Sequence, residues 1–307
     1  MSTTAAALPW LWIPIVLWAA LAQTARNAAQ RSLVAQAGTL GATLARFLYG
    51  LPFAAAWVLL LHALPGTASP VPHFTLGWAG WLLLGAVSQL AATAFLLAAM
   101  KQRSFVVGVA FSKTDALQVA LFATLFLREL PGWATLLAIG LATAGVVLLS
   151  MPVKGSAAVD WTGGAALWGL ASGAGFALSA VGYRGAALAL PEASPWMAGA
   201  WGVLCAQAVQ TLLLGGWLAW RSRESLRAIV SAWRVSTAAG AMGALASIGW
   251  FTAFALTTAA NVRTLGLAEV VFSYLVSHRF LREKLAPRES LGLALVVAGL
   301  LAMFATL

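Results

Sequence analysis

Phe126-Leu127-Arg128-Glu129 recurs as Phe280-Leu281-Arg282-Glu283, and Ala144-Gly145 recurs as Ala298-Gly299, both at an offset of 154 residues. Two acids in otherwise apolar sequence share that offset. Asp115 lies 14 residues before Glu129, and Glu269 lies 14 residues before Glu283. A chain that repeats itself over half its length is built as two copies of one unit. Here each copy keeps an ionisable group where a charge is costly to bury and is functional by default. The copies are expected at residues 1–153 and 154–307, acting together as one domain.

Composition says where such a chain folds. Hydrophobic residues make up 62% and charged residues 8%, with a mean hydropathy of +0.90, too little polar material to cover a water-soluble surface. The class is an all-α integral membrane protein with the lipid bilayer as its solvent. One cysteine, Cys205, rules out an intramolecular disulfide, and three histidines offer no His/Cys metal cage; no cofactor is expected. A net charge of +10 in a soluble domain would suggest nucleic acid. In this chain the basic residues fall in short connections, as membrane topology requires, so nucleic-acid binding is excluded.

Apolar runs of about 20 residues, separated by polar or Pro/Gly breaks, give ten transmembrane helices. They fall at 10–34, 39–61, 74–100, 105–127, 133–151, 161–190, 196–220, 235–259, 264–281 and 290–304. Trp78, Trp133, Trp161, Trp196, Trp220 and Trp233 mark span ends, as an interfacial aromatic belt does. The first run lacks a basic leader and continues into Arg26 and Arg31, so it is expected to remain as a span, not to be cleaved. Odd-numbered connections carry Arg31, Lys101, Arg103, Lys154, Arg221, Arg223, Arg227, Arg234, Arg279, Arg282, Lys284 and Arg288; the other side holds little beyond Arg128 and Arg263. The positive-inside rule then places both termini away from the cytoplasm, in a multi-pass protein of the cytoplasmic (inner) membrane.

Five spans per copy is an odd number. The second copy must enter the membrane in the opposite sense, which makes two inverted five-helix repeats related by a pseudo-two-fold axis in the membrane plane. That plan belongs to secondary transporters whose site lies at the midplane between repeats and which work by alternating access.

Three further features resemble a known family. Ala45-Arg46-Phe47 in the second span, Leu267-Ala268-Glu269 ahead of Phe280-Leu281-Arg282-Glu283-Lys284-Leu285, and the Ala-Gly pair in each copy's last span are similar to the drug/metabolite transporter superfamily, in its ten-span EamA-like branch. Where that pattern often has Glu-Pro, this chain has Glu269-Val270 and Asp115-Ala116. The resemblance implies a bundle of spans 1–4 and 6–9 around a central cavity, with spans 5 and 10 peripheral, and export or exchange of small metabolites.

Candidate site residues are the polar groups stranded inside these spans. Asp115 and Gln118 share a helix face, with Lys113 turned away. Glu269, followed on its helix by Tyr274 and His278, is a group for a cation or proton, or for neutralisation by Arg46 or Arg184. Arg46 is either a substrate clamp or the structural partner of Asp115 or Glu269. Gln23, Arg26, Asn27 and Gln30 form a polar stripe at i, i+3, i+4 and i+7, which lines water unless the span ends near Gln23. Gln89, Tyr183, Arg184, Gln207, Gln210 and Trp250 are mid-span groups that either touch a ligand or tie helices together. Substrate contact is expected at Asn27, Arg46, Gln89, Lys113, Asp115, Tyr183, Arg184, Trp250 and Glu269, and proton coupling at Asp115, Glu269 or His278.

The basic residues within the spans outnumber Asp115 and Glu269, so a small amphiphilic metabolite bearing a carboxylate, an amino acid or a relative, is the expected substrate. Two alternatives are an exporter of cationic drugs and a passive channel. No HExxH or GxSxG string is present, so an enzyme is not expected. The carrier is read as a monomer or weak homodimer.

Overall fold

The computed structural model describes residues 9–67, 70–100, 111–151, 164–281 and 287–304; within these ranges the side chains of residues 31, 100, 276–281, 287 and 304 are not described. The described chain is helical, with no strand. The helices are α1 (Trp12–Leu48), α2 (Leu51–Ala63), α3 (Leu76–Met100), α4 (Asp115–Leu127), α5 (Trp133–Ser150), α6 (Gly164–Leu188), α7 (Pro195–Arg221), α8 (Arg223–Ser231), α9 (Trp233–Leu256), α10 (Ala259–Gly266), α11 (Ala268–Leu281) and α12 (Pro287–Phe304). Among the described residues, six segments are long and apolar enough to cross a membrane: Ser32–Ala63, Leu76–Ala99, Trp133–Ser150, Gly164–Leu188, Pro195–Arg221 and Trp233–Leu256; Asp115–Leu127 is a shorter apolar helix.

Ten uninterrupted spans are therefore not what the described residues form, and the departures have local causes. The expected spans 10–34 and 39–61 meet inside α1 at Gly38, whose φ of 68° and ψ of 170° are non-helical. Twelve residues of straight helix would hold Gln30 and Ala42 about 18 Å apart. Instead Gln30 Nε2 donates to the Ala42 carbonyl at 2.7 Å, so the chain doubles back at the glycine, which has no Cβ to oppose a positive φ. The second leg is interrupted again at Tyr49 and Gly50, because Pro52 has no N–H to return to the Leu48 carbonyl.

The region expected as the span 264–281 is divided between α10 and α11 at Leu267, and α4 begins only at Asp115, after a turn at Lys113 and Thr114. Each break puts its acid in the first turn of the helix that follows: Asp115 in α4 and Glu269 in α11. Unpaired N–H groups and the positive end of the helix dipole favour a carboxylate at such a terminus. Arg263 sits in the last turn of α10, where the dipole favours a cation. The stretch 221–234, expected as a loop, holds the short helix α8, with Ile229 fully buried and Arg223 exposed.

Packing is dominated by three helix pairs, α3 with α6, α1 with α9, and α5 with α12. Lipid offers no hydrophobic drive between helices, so close van der Waals approach has to hold them together, and small residues permit it. Gly145 of α5 lies against α12 so tightly that a Cβ would fall 2.5 Å from the Gly292 carbonyl and 2.7 Å from the Val296 nitrogen. Gly182 of α6 would place one 2.6 Å from the Gly85 nitrogen of α3. Each pair runs antiparallel. Along α6, Gly175, Gly182 and Gly185 meet Ala92, Gly85 and Trp81 in descending order, and along α9, Gly243 and Gly249 meet Arg26 and then Ala19.

Candidate functional site

Where the three pairs leave room, polar side chains from α1, α3, α6, α7, α9, α10 and α11 face one another around a cavity with two joined lobes. Both lobes are lined by Gln23, Arg26, Arg46, Gln89, Phe176 and Arg263. One lobe, of about 610 Å³, adds Tyr183, Gln207, Gln210, Trp250, Phe251 and Phe254. The other, of about 940 Å³ including its mouth, adds Asn27, Leu96, Lys113, Asp115 and Glu269.

The two acids are held differently. Asp115, 2% exposed, is ion-paired with Arg263 Nη2, and the Arg263 guanidinium stands 5.9 Å from the centre of the Trp250 ring. Glu269 has no such partner in the described ion pairs; it accepts from Gln23 Nε2 at 2.5 Å and from Asn27 Nδ2 at 2.8 Å. The Gln23 carbonyl oxygen accepts from Trp250 Nε1 at 3.1 Å, and Asn27 Oδ1 accepts from Arg26 Nη2 at 2.7 Å. Arg26 thus reaches Glu269 through an amide relay. Span 1 therefore continues past Gln23 as helix, and its polar stripe faces the cavity from Gln23 to Asn27.

Arg46 pairs with neither acid. Its guanidinium lies over the Phe47 ring at 4.4 Å, and its buried Nε finds no hydrogen-bond partner. The inner end of the smaller lobe is closed by an amide and phenol cluster. Gln89 Oε1 accepts from Tyr183 Oη at 3.1 Å and from Gln210 Nε2 at 2.6 Å, and the Tyr183 ring packs 4.2 Å from Phe251. Gln118 is turned aside: its Nε2 donates to Thr114 Oγ1 at 3.0 Å.

Arg184, expected to touch substrate, does not line either lobe. It belongs to a clasp at one end of the bundle, where its Nε donates to Glu129 at 2.7 Å and its Nη1 to the Phe254 carbonyl at 2.7 Å. The second Glu129 oxygen accepts from the Ala259 backbone N–H, at the start of α10, at 3.3 Å. Arg128 just before it adopts a left-handed φ of 56° that ends α4 and turns Glu129 inward, with the Glu129 N–H returning to the Ala123 carbonyl at 3.2 Å. Glu129 escaped the list of site candidates because it stands at a span end, where an acid is unremarked. The side chain of His278 lies outside the described residues. Among the described residues no cluster of His, Cys, Asp or Glu is fit to hold a metal ion.

Residues 163–305 match the EamA-like transporter family. No curated protein matches the chain. A solved structure, described as the crystal structure of a protein, superposes with a TM-score of 0.70 at 17% identity, covering 96% of each chain; at that identity it shows a shared fold alone. The family is one of membrane transporters of small molecules, not enzymes, and several apolar helices make the chain a multi-pass membrane protein. Over residues 163–305 the chain is similar to the EamA-like transporter family, which is consistent with the drug/metabolite transporter superfamily.

Proposed function

We propose that the chain is a secondary transporter that moves a small amphiphilic, carboxylate-bearing metabolite across the cytoplasmic membrane by alternating access between two inverted repeats, in export or exchange. The observation that carries this reading is the cavity itself, lined from both halves of the chain, with one acid of each half at the first turn of a broken helix. Broken helices whose N-termini face a midplane cavity are a recurring device of secondary transporters.

Inversion draws support from the helix pairings. First-copy α1 and α3 pair with second-copy α9 and α6, and α5 pairs with its own counterpart α12, as a two-fold operation requires. Antiparallel contact between corresponding helices such as α5 and α12 fits inversion; copies of the same sense would make that pair parallel.

The state fits a carrier open on one side. The Glu129–Arg184 clasp joins α4 of the first half to α6, α9 and α10 of the second at the end where α6 terminates. Leu96 and the exposed Asn27 stand at the other end, where α3 finishes; in sequence Lys101 and Arg103 follow directly. By the positive-inside rule that mouth faces the cytoplasm. Glu269 is the coupling group of choice, since its partners are neutral amides and Asp115 is already neutralised by Arg263.

Counterflow in proteoliposomes loaded with candidate carboxylates tests the reading. Saturable exchange that fails in Glu269→Gln is expected; conductance without saturation would replace the carrier with a channel.

A further inference from the structure

We infer that the occupant of this cavity is an organic anion of net charge −1, an oxyanion carried on a flat apolar body, and that Arg46 with Arg26 forms its anion subsite. The inference rests on the transporter reading of the same cavity and sharpens it: zwitterions and cations are the poorer cargo.

Charge is the first ground. The two lobes are lined by four cations (Arg26, Arg46, Lys113 and Arg263) and two acids (Asp115 and Glu269), an excess of two positive charges. Asp115 is spent on Arg263. Glu269 receives two amide hydrogen bonds and is linked by hydrogen bonds to Arg26 through Asn27, with no direct ion pair among the described residues. Arg46 is left with a ring and no carboxylate, its Nε buried and unpartnered. A guanidinium removed from water needs an oxyanion, and its planar fork matches the two oxygens of a carboxylate.

Geometry places the two arginines together. Both stems flank Gly243 of α9: a Cβ there would stand 3.4 Å from Arg26 Cδ and 3.5 Å from Arg46 Cβ. The two stems therefore run side by side, and because both arginines line each lobe, an oxyanion held in the cavity can engage the two guanidinium groups together. Beyond them the lobe is walled by Phe176, Trp250, Phe251 and Phe254, which suits a flat apolar body and offers it no counter-charge.

The same lobe treats an ammonium badly. Gln89 Oε1 already accepts from Tyr183 and Gln210, and Gln23 Oε1 accepts from Trp250. Gln207 Oε1, buried without a partner, lies against Gly50 and carries no charge to offset a second cation. Adding an α-ammonium to the ligand thus adds positive charge to a site that already holds an excess of it.

Three probes of one shape isolate the effect: 3-phenylpropionate, phenylalanine and phenethylamine, which share ring and chain and differ in charge. Binding is read by quenching of tryptophan fluorescence, with the full chain in nanodiscs of phosphatidylcholine, and counterflow is read in parallel. The expected order is 3-phenylpropionate first by about tenfold or more, then phenylalanine, then phenethylamine; Arg46→Gln removes most of the anion affinity and the ranking, while Arg46→Lys keeps part of both. Tightest binding of phenylalanine or phenethylamine to the wild type, no binding of any probe, or an Arg46→Gln protein that keeps the anion preference would each overturn the inference. Displacement of 3-phenylpropionate by added phosphatidylglycerol would also overturn it, assigning the arginines to a lipid headgroup. Ranked binding without counterflow leaves the anion subsite standing and sinks the transporter reading; counterflow with the ranking reversed does the opposite.

Discussion

Removing either partner of the Asp115–Arg263 pair should cost far more than removing both. The Asp115 side chain is 3% exposed and that of Arg263 25% exposed, so neither charge is well hydrated once alone. Stripping one partner from a buried pair typically costs about 3–5 kcal/mol. Asp115→Asn belongs at the low end, about 3 kcal/mol, because Arg263 retains some water and the face of Trp250, a contact of about 0.5–1 kcal/mol. Arg263→Gln abandons the more deeply buried charge, but the first turn of α4 returns about 0.3–1 kcal/mol to a carboxylate, which again leaves a cost of about 3–4 kcal/mol. The double substitution Asp115→Asn with Arg263→Gln removes both charges and should return to within about 1 kcal/mol of wild type. Unfolding in mixed dodecylmaltoside and SDS micelles, followed by tryptophan fluorescence, gives the four stabilities. If the double variant loses the sum of the two single losses to within about 0.5 kcal/mol, the residues are energetically independent and the pairing is refuted.

The clasp yields a kinetic prediction. Glu129→Cys with Arg184→Cys, in a Cys205→Ser background, should be bridged by a bifunctional methanethiosulfonate reagent, and the bridge should arrest exchange until a reductant is added; undiminished exchange by the cross-linked protein would show that this end of the bundle does not open. Glu269→Gln should fold, since its amide still accepts from Asn27 or Gln23, but should lose any proton dependence of transport; an unchanged pH profile of a proton-coupled wild type would remove Glu269 from that role. Gly145→Val drives its branched side chain into the Gly292 carbonyl and Val296 nitrogen, and overpacking of this kind costs about 1–3 kcal/mol. Its effect should appear as lowered stability with little change in substrate affinity, because Gly145 itself lines neither lobe; an affinity change without a stability loss would contradict that expectation.

Much of the architecture was legible because membranes simplify the sequence. Apolar runs, basic connections and a fixed offset located the helices and the duplication without any reference to contacts. The reversal at Gly38 was placed only as a gap between two runs, since one glycine among Gly41 and Gly50 carries no mark of a left-handed φ. The breaks at Lys113–Thr114 and Leu267 were missed for a similar reason: neither carries a proline, their polar residues read equally well as site groups on an unbroken span, and the dipole that justifies an acid exists only once the helix begins at that acid.

Site residues divided along the same line. The stripe Gln23, Arg26, Asn27 was readable from helical spacing, and its cavity-facing role followed. Partners were not readable. Arg263 is 148 residues from Asp115, and Glu129 is 55 from Arg184, so sequence could name the charges but not match them. Phe176, Phe251 and Phe254 escaped notice because an aromatic in an apolar helix looks the same whether it faces lipid, core or cavity.

Alternating access is tested most directly by asking whether one position in the cavity can be reached from both sides at once. Ser247 lines the inner lobe, and Ser247→Cys in a Cys205→Ser background gives a single thiol there. Membrane-impermeant maleimide applied to one face of sealed, uniformly oriented vesicles should label it from the cytoplasmic face at rest, and from the opposite face only when substrate drives turnover or Glu129→Gln weakens the clasp. Simultaneous labelling from both faces of the resting protein would contradict a carrier and describe a continuous pore.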